Sequence, residues 1–226
     1  MRSTENIWPD NITDAKAVQL NLVKKVRLVP LRKGPAIIAG IDAAFMDDKI
    51  IAVACLFAYP GITLIERAHV VRNVTFPYIP GYLSFREGPA IPDLLRKLKN
   101  KPDLIIFDGQ GIAHPKKFGL ASHIGVLLDI PSIGCAKSRL VGQFREPGAK
   151  KGNSTLLSYK GEQVGTVLRT RTNVKPVFIS PGNKIDFDDS VRIVMNCTTK
   201  YRLPEPVRCA DIFSKEVKKK RSVVQR

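Results

Sequence analysis

Three carboxylates stand in apolar surroundings along this chain: Asp42 in AGIDAAF, Glu87 in SFREG and Asp108 in IIFDGQG. A carboxylate taken out of water costs several kcal/mol unless something compensates it. A shared divalent cation can compensate several at once. In a strongly basic chain, carboxylates that hold a metal point to hydrolysis of a nucleic-acid phosphodiester. Each residue also has a plainer reading. Asp42 could cap a turn or pair with an arginine. Glu87 could be a surface carboxylate beside Arg86. Asp108, before Gly109-Gln110-Gly111, could cap the next helix.

Other side chains could take part in that chemistry. His114 follows Asp108 by six residues in a polar loop, where a lone histidine is often structural. Lys137 follows an apolar run, so its ammonium could reach the cleft that receives Asp108. Ser138 and Arg139 beside it could contact phosphates. Tyr78 lies between Pro77 and Ile79-Pro80, and the two prolines stiffen the backbone around it. It is either a packed loop aromatic or a wedge for the base stack, a task in which stiffness limits the entropy cost. Lys116-Lys117, Lys150-Lys151 and Lys218–Arg221 read as phosphate contacts or as solvated charge. Gly109-Gln110-Gly111 lacks the third glycine of a dinucleotide loop, because His114 occupies that place.

The charge balance favours a polyanionic partner. Lys and Arg number 37 against 20 Asp and Glu, a net of +17 over 226 residues. Five of these basic residues follow Val217, so +12 remains on the rest, and the excess is spread over the fold. Hydrophobic content of 44% is ordinary for a folded protein. No stretch is long and apolar enough for a membrane span, and the polar start MRSTENIWPDNITDA does not read as a signal peptide. Cys55, Cys135, Cys197 and Cys209 form no C-x-x-C pair, which suits reduced thiols in a cytoplasmic protein rather than a zinc site.

The elements that must position these residues follow from hydrophobic period. Residues 14–28 read as a helix with Ala17, Leu20, Leu22, Val23 and Val26 on its apolar side. Residues 36–45, 50–59 and 62–74 read as a three-strand meander. Residues 83–99 read as a helix that Pro89 and Pro92 should break in two. Residues 104–108, 120–128 and 132–136 form a strand, helix and strand, expected as a parallel right-handed crossover. Further strands are expected at 164–170 and 177–180, a helix at 190–198, and a last helix after LPEP. Segments 145–155 and 199–206 read as loops. The expected architecture is an α/β fold with a mixed sheet flanked by helices, in a single domain over 1–226 with a flexible basic tail at 217–226. If the first and fourth strands are neighbours, Asp42 and Asp108 can meet.

Four segments extend the argument: TFPYIPGYLSFREGPA at 75–90, residues 101–140 with DGQG-x-x-HP and AKSRL, FISPGN at 178–183, and RLPEPVRCAD at 202–211. Together they make the chain resemble the endonuclease V family over residues 15–216. That resemblance implies a ribonuclease H-like fold, with Asp42, Glu87, Asp108 and Asp211 holding Mg²⁺, for which Mn²⁺ can substitute. Family members carry His or Asp at the last position. Lys137 and His114 match the family's basic site residue and loop histidine. Tyr78 matches its wedge tyrosine, flanked by Pro77 and Ile79. Gly81, Leu83 and Gly109 match residues that enclose a displaced base, and Lys116, Lys117 and Arg139 would contact DNA. The implied substrate is DNA containing deoxyinosine, nicked at the second phosphodiester 3′ of the lesion to leave 3′-hydroxyl and 5′-phosphate ends by a monomer in DNA repair. Two other readings stay open: an endoribonuclease acting on inosine-containing RNA, and a nucleic-acid-binding module without catalysis.

Overall fold

The computed structural model describes residues 7–224, with side chains up to residue 222. Eight strands form one sheet in the order β3-β2-β1-β4-β5-β8-β7-β6. The meander is present as β1 (Ile37–Met46), β2 (Lys49–Ala58) and β3 (Thr63–Asn73), antiparallel throughout. β4 (Leu104–Phe107) lies parallel to β1, and β5 (Ser132–Ala136) lies parallel to β4, joined by α4 (Leu120–Leu127). β8 (Val177–Asn183), β7 (Glu162–Leu168) and β6 (Ser154–Tyr159) continue antiparallel to the edge. This is the expected mixed sheet, and β1 and β4 are neighbours.

β4 is four residues long and all four are buried, which suits a central parallel strand covered on both faces. On one face α3 (Ala90–Arg96) and α4 pack against Ile41, Ile50, Leu56, Ile105 and Phe107. On the other, α5 (Phe187–Asn196) and α6 (Glu205–Val224) cover two further apolar clusters. Among the described residues no helix is long and apolar enough to cross a membrane. Their four cysteines are free thiols.

Four expectations need correction. The segment 145–155 is not all loop, since β6 begins at Ser154 and turns into β7 through Lys160 and Gly161, both with positive φ. α1 runs Ile12–Leu22 and ends in a 3-10 turn at Val23–Lys25; it buries Ala15 and Gln19 while Leu20 is exposed. α5 starts at Phe187, capped by the Asp186 side chain. The basic segment from Val217 continues α6 as helix to Val224. The expected break in residues 83–99 is there: α2 is Leu83–Glu87 and α3 starts at Ala90.

α6 lies unusually close to the sheet. A Cβ on Gly40 would stand 2.0 Å from the Pro206 carbonyl oxygen, so only glycine admits the start of α6 over β1. From there the helix follows β1. Ser214 reaches Asp42, and the Ser222 hydroxyl lies 3.8 Å from the Met46 sulfur.

Candidate active site

The parallel pairing of β1 and β4 brings two carboxylates together. The Asp108 N–H donates to the Ile41 carbonyl at 3.1 Å, so Asp108 leaves the sheet beside Asp42. Asp211 comes to the same place from the second turn of α6. Glu87 arrives from α2, on the opposite side of the sheet from α6.

Charge in this cluster is poorly balanced. The Lys137 ammonium lies 2.6 Å from Asp108 and 2.6 Å from Asp211. Lys215 adds a second contact to Asp211 at 2.6 Å. Burial alone would raise Asp211, but these two ammoniums outweigh it and hold the carboxyl below its ordinary range. Burial opposes the charge on Lys137, yet its two carboxylate partners raise it above the usual lysine value. Among the described residues no cation pairs with Asp42. Burial above all, with Asp108 and Asp211, pushes it upward, against hydrogen bonds from the Ser214 hydroxyl at 2.7 Å and the Ala43 backbone N–H. Glu87 is pushed up to about 8 by burial first and then by Asp42 and Asp108, with Arg86 a weaker opposing influence.

Such a set suits a hard, oxygen-seeking cation. Asp42 and Glu87 gain most from added positive charge, because like charges and burial are what disfavour their ionised forms. Among the described residues, no three Asp, Glu, His or Cys side chains stand close enough together to hold a metal ion between them. The fit therefore rests on the charge imbalance and the donor chemistry.

His114 is buried beside the loop that precedes α2. Its Cε1 lies 4.0 Å from where a Cβ on Gly81 would be. Its Nδ1 accepts the Lys116 N–H at 3.2 Å. Burial, helped by Lys116, lowers it to about 4, so it is a neutral imidazole at neutral pH. Within that loop Tyr78 is 70% exposed. Phe76 and Ile79 on either side pack against Ala15 and Phe85. Pro77 and Leu83 are exposed, and Gly81 closes the loop with φ +83°. The Gly81 carbonyl accepts from the buried Gln19 amide at 3.2 Å. A polar residue thus faces inward on α1 to anchor the loop.

Gly109 is open, with nothing within 4 Å of a Cβ placed there. Gly111 is enclosed, since a Cβ would stand 2.1 Å from the Pro181 carbonyl oxygen. The DGQG turn therefore packs into the fold. Arg139 and Lys116 are exposed, with the Arg139 guanidinium 5.7 Å from the centre of the Phe144 ring. Lys117 is paired with Glu162 at 2.5 Å.

Two neighbours of the site were not singled out in the sequence. Ser214 stands three residues after Asp211, on the same helix face, and that spacing was its only signal. Arg202 donates to the Lys137 carbonyl at 2.6 Å and to the Pro176 carbonyl at 2.7 Å, fixing the backbone from which Lys137 projects. Its loop position gave no sign of that.

The fold and this carboxylate cluster define a ribonuclease H-like protein with the makings of a nuclease site. Comparison with known proteins makes this specific. The endonuclease V family model matches residues 20–212. Endonuclease V of Geotalea uraniireducens (strain Rf4) is 52% identical over 215 residues, covering 95% of this chain and 92% of that one. The crystal structure of endonuclease V from Streptomyces avermitilis superposes with a TM-score of 0.91 at 38% identity, covering 95% and 96% of the two chains. Endonuclease V of Ciona intestinalis, in complex with a 24mer DNA containing an inosine followed by a ribo-adenosine, superposes with a TM-score of 0.81 at 26% identity, covering 94% and 99%. The chain belongs to the endonuclease V family and is an endonuclease, which sets aside the reading as a binding module without catalysis.

Proposed function

We propose that this protein is a metal-dependent repair endonuclease that recognises deoxyinosine in DNA and hydrolyses the second phosphodiester on its 3′ side. The observation that carries the proposal is the undercompensated cluster of Asp42, Glu87 and Asp108, with Glu87 pushed up to about 8. The inosine-containing DNA bound by the Ciona intestinalis relative supports the choice of substrate.

Asp42, Glu87, Asp108 and Asp211 would hold Mg²⁺ or Mn²⁺. When bound, such an ion neutralises phosphate charge and lowers the pKa of a water. Lys137 stays protonated beside Asp108 and Asp211, so its ammonium can stabilise charge that develops on the phosphate. Ser214 holds one oxygen of Asp42 and leaves the other directed by that bond. The exposed Tyr78, on a loop pinned by Phe76, Ile79 and Gln19, enters the base stack, and the displaced base is received among Gly81, Leu83 and Gly109. Neutral His114 braces that loop and can accept or donate a hydrogen bond there without adding charge.

Asp108→Asn tests the assignment. The amide keeps the shape and loses the charge, so nicking of an inosine-containing duplex should vanish while binding to it persists. Near-normal nicking by this variant would sink the proposal. A second reading, cleavage of inosine-containing RNA, is favoured by one observation: the Ciona intestinalis relative is bound to DNA in which a ribo-adenosine follows the inosine. Matched RNA and DNA strands separate the two.

A further inference from the structure

Glu87 is the one carboxylate of the cluster that neither the sheet nor α6 carries. It ends α2, a single turn of five residues whose start no side chain caps. A helix so short does not hold itself together in water. What packs against it therefore decides where Glu87 stands. Ser84 lies one turn before Glu87, and its carbonyl accepts the Gly88 N–H at 2.8 Å. Its side chain is buried, with the hydroxyl 3.0 Å from Nδ1 of His123.

His123 sits wholly buried in an aromatic box. Its ring centre lies 4.9 Å from Trp8, 4.8 Å from Phe85 and 5.1 Å from Phe118. Burial lowers its pKa to about 3, so the ring is neutral. Among the described residues Nε2 meets no hydrogen-bond partner. A buried nitrogen left unpaired costs stability, and phenylalanine would fill the same space without that cost. What the imidazole adds is its bond to Ser84.

The box is fastened to the other side of the site. The His123 N–H donates to the Gly119 carbonyl at 2.9 Å, and the Gly119 N–H donates to the Gly111 carbonyl at 2.9 Å. The Ala121 N–H donates to the Gln110 carbonyl at 3.0 Å. α4 is thus bonded to the turn that follows Asp108. Trp8 closes the box against the end of α2. A Cβ on Gly88 would stand 2.3 Å from the indole, so glycine after Glu87 is what lets the ring lie there.

We propose that His123 is a positioning residue of the metal site: through Ser84, with Trp8 behind it, it fixes Glu87 relative to Asp108. It touches neither metal nor DNA. This inference rests on the reading of Glu87 as a metal ligand. Partners that orient a ligand in this way govern metal affinity about tenfold or more.

The test is Mn²⁺ binding to the metal-free full chain by calorimetry, with thermal melts alongside. Ser84→Ala and His123→Phe should each weaken Mn²⁺ binding about tenfold. The double variant should be weakened about tenfold as well, not a hundredfold, because both changes remove one bond. Its melting temperature should lie nearer to wild type than that of either single variant, since no polar group is then left alone in the box. A purely structural bond would let affinity recover together with stability. Ser84→Ala removes a single oxygen and carries the affinity test alone if His123→Phe does not fold. Glu87→Gln separates the two readings. If it weakens Mn²⁺ binding while Ser84→Ala and His123→Phe bind as wild type, the positioning role is overturned and the ligand stands. If it leaves Mn²⁺ binding intact, Glu87 is no ligand and the positioning role falls with it.

Discussion

Glu87 shows how much a single residue depends on its neighbours. Beside Arg86 it could have been an ordinary surface carboxylate, and nothing local excluded that. The fold places it facing Asp42 and Asp108, and its pKa rises from 4.5 to about 8. Between those values the folded protein keeps a proton that the unfolded chain has released. Stability from this group is therefore full below about pH 4.5 and declines as pH rises toward about 8. In chelator, the melting temperature of wild type should fall between about pH 5 and pH 8 relative to Glu87→Gln, and added Mg²⁺ should reverse the fall. A difference between the two proteins that does not change with pH would mean that the three carboxylates do not face one another. Asp42 and Asp108 were easier to read, because each sits at a strand position that the topology makes adjacent. Ser214 was not legible: helical spacing placed it with Asp211 but could not say which strand that face would meet.

At the scale of elements, the strands of the meander and the β4-α4-β5 unit were legible because their apolar runs are bounded by turn residues. β6 was missed because its edge strand alternates weakly, and its turn is a Lys-Gly pair rather than the Asn-Gly or Asp-Gly that signals a hairpin strongly. The buried face of α1 was misjudged because Gln19 turns inward to hold the loop that carries Tyr78, a tertiary demand with no trace in hydrophobic period. The register of α6 on β1 was likewise invisible, although Gly40 made it possible. Gly40→Ala should cost about 1–3 kcal/mol by overpacking and should lower nicking more than DNA binding, because it displaces Asp211 and Ser214 from Asp42. Thermal melts with parallel nicking and binding assays check this, and an unaffected variant would deny the close approach. Tyr78→Ala should reduce discrimination between inosine-containing and normal duplex without changing metal affinity, measured by calorimetry. Retained discrimination would leave Tyr78 an exposed loop residue with no role in the base stack.

For the whole molecule, the net charge of +17 makes affinity for any duplex fall steeply with salt. Individual cations do not share that effect equally. Among the described residues Lys116 has no ion pair, whereas Lys117 is engaged by Glu162. Lys116→Gln should flatten the slope by about 1 and Lys117→Gln by less, with base choice unchanged in both. A selective loss on inosine duplex would place Lys116 in lesion recognition instead. The most direct test of the account is one nicking experiment with the unmodified protein, on a duplex carrying a single deoxyinosine and on its adenine counterpart, with Mg²⁺ and with chelator. The account predicts one nick at the second phosphodiester 3′ of the inosine, bearing 3′-hydroxyl and 5′-phosphate ends, only with inosine and only with Mg²⁺. Equal cutting of both duplexes, or a nick that persists in chelator, would contradict it.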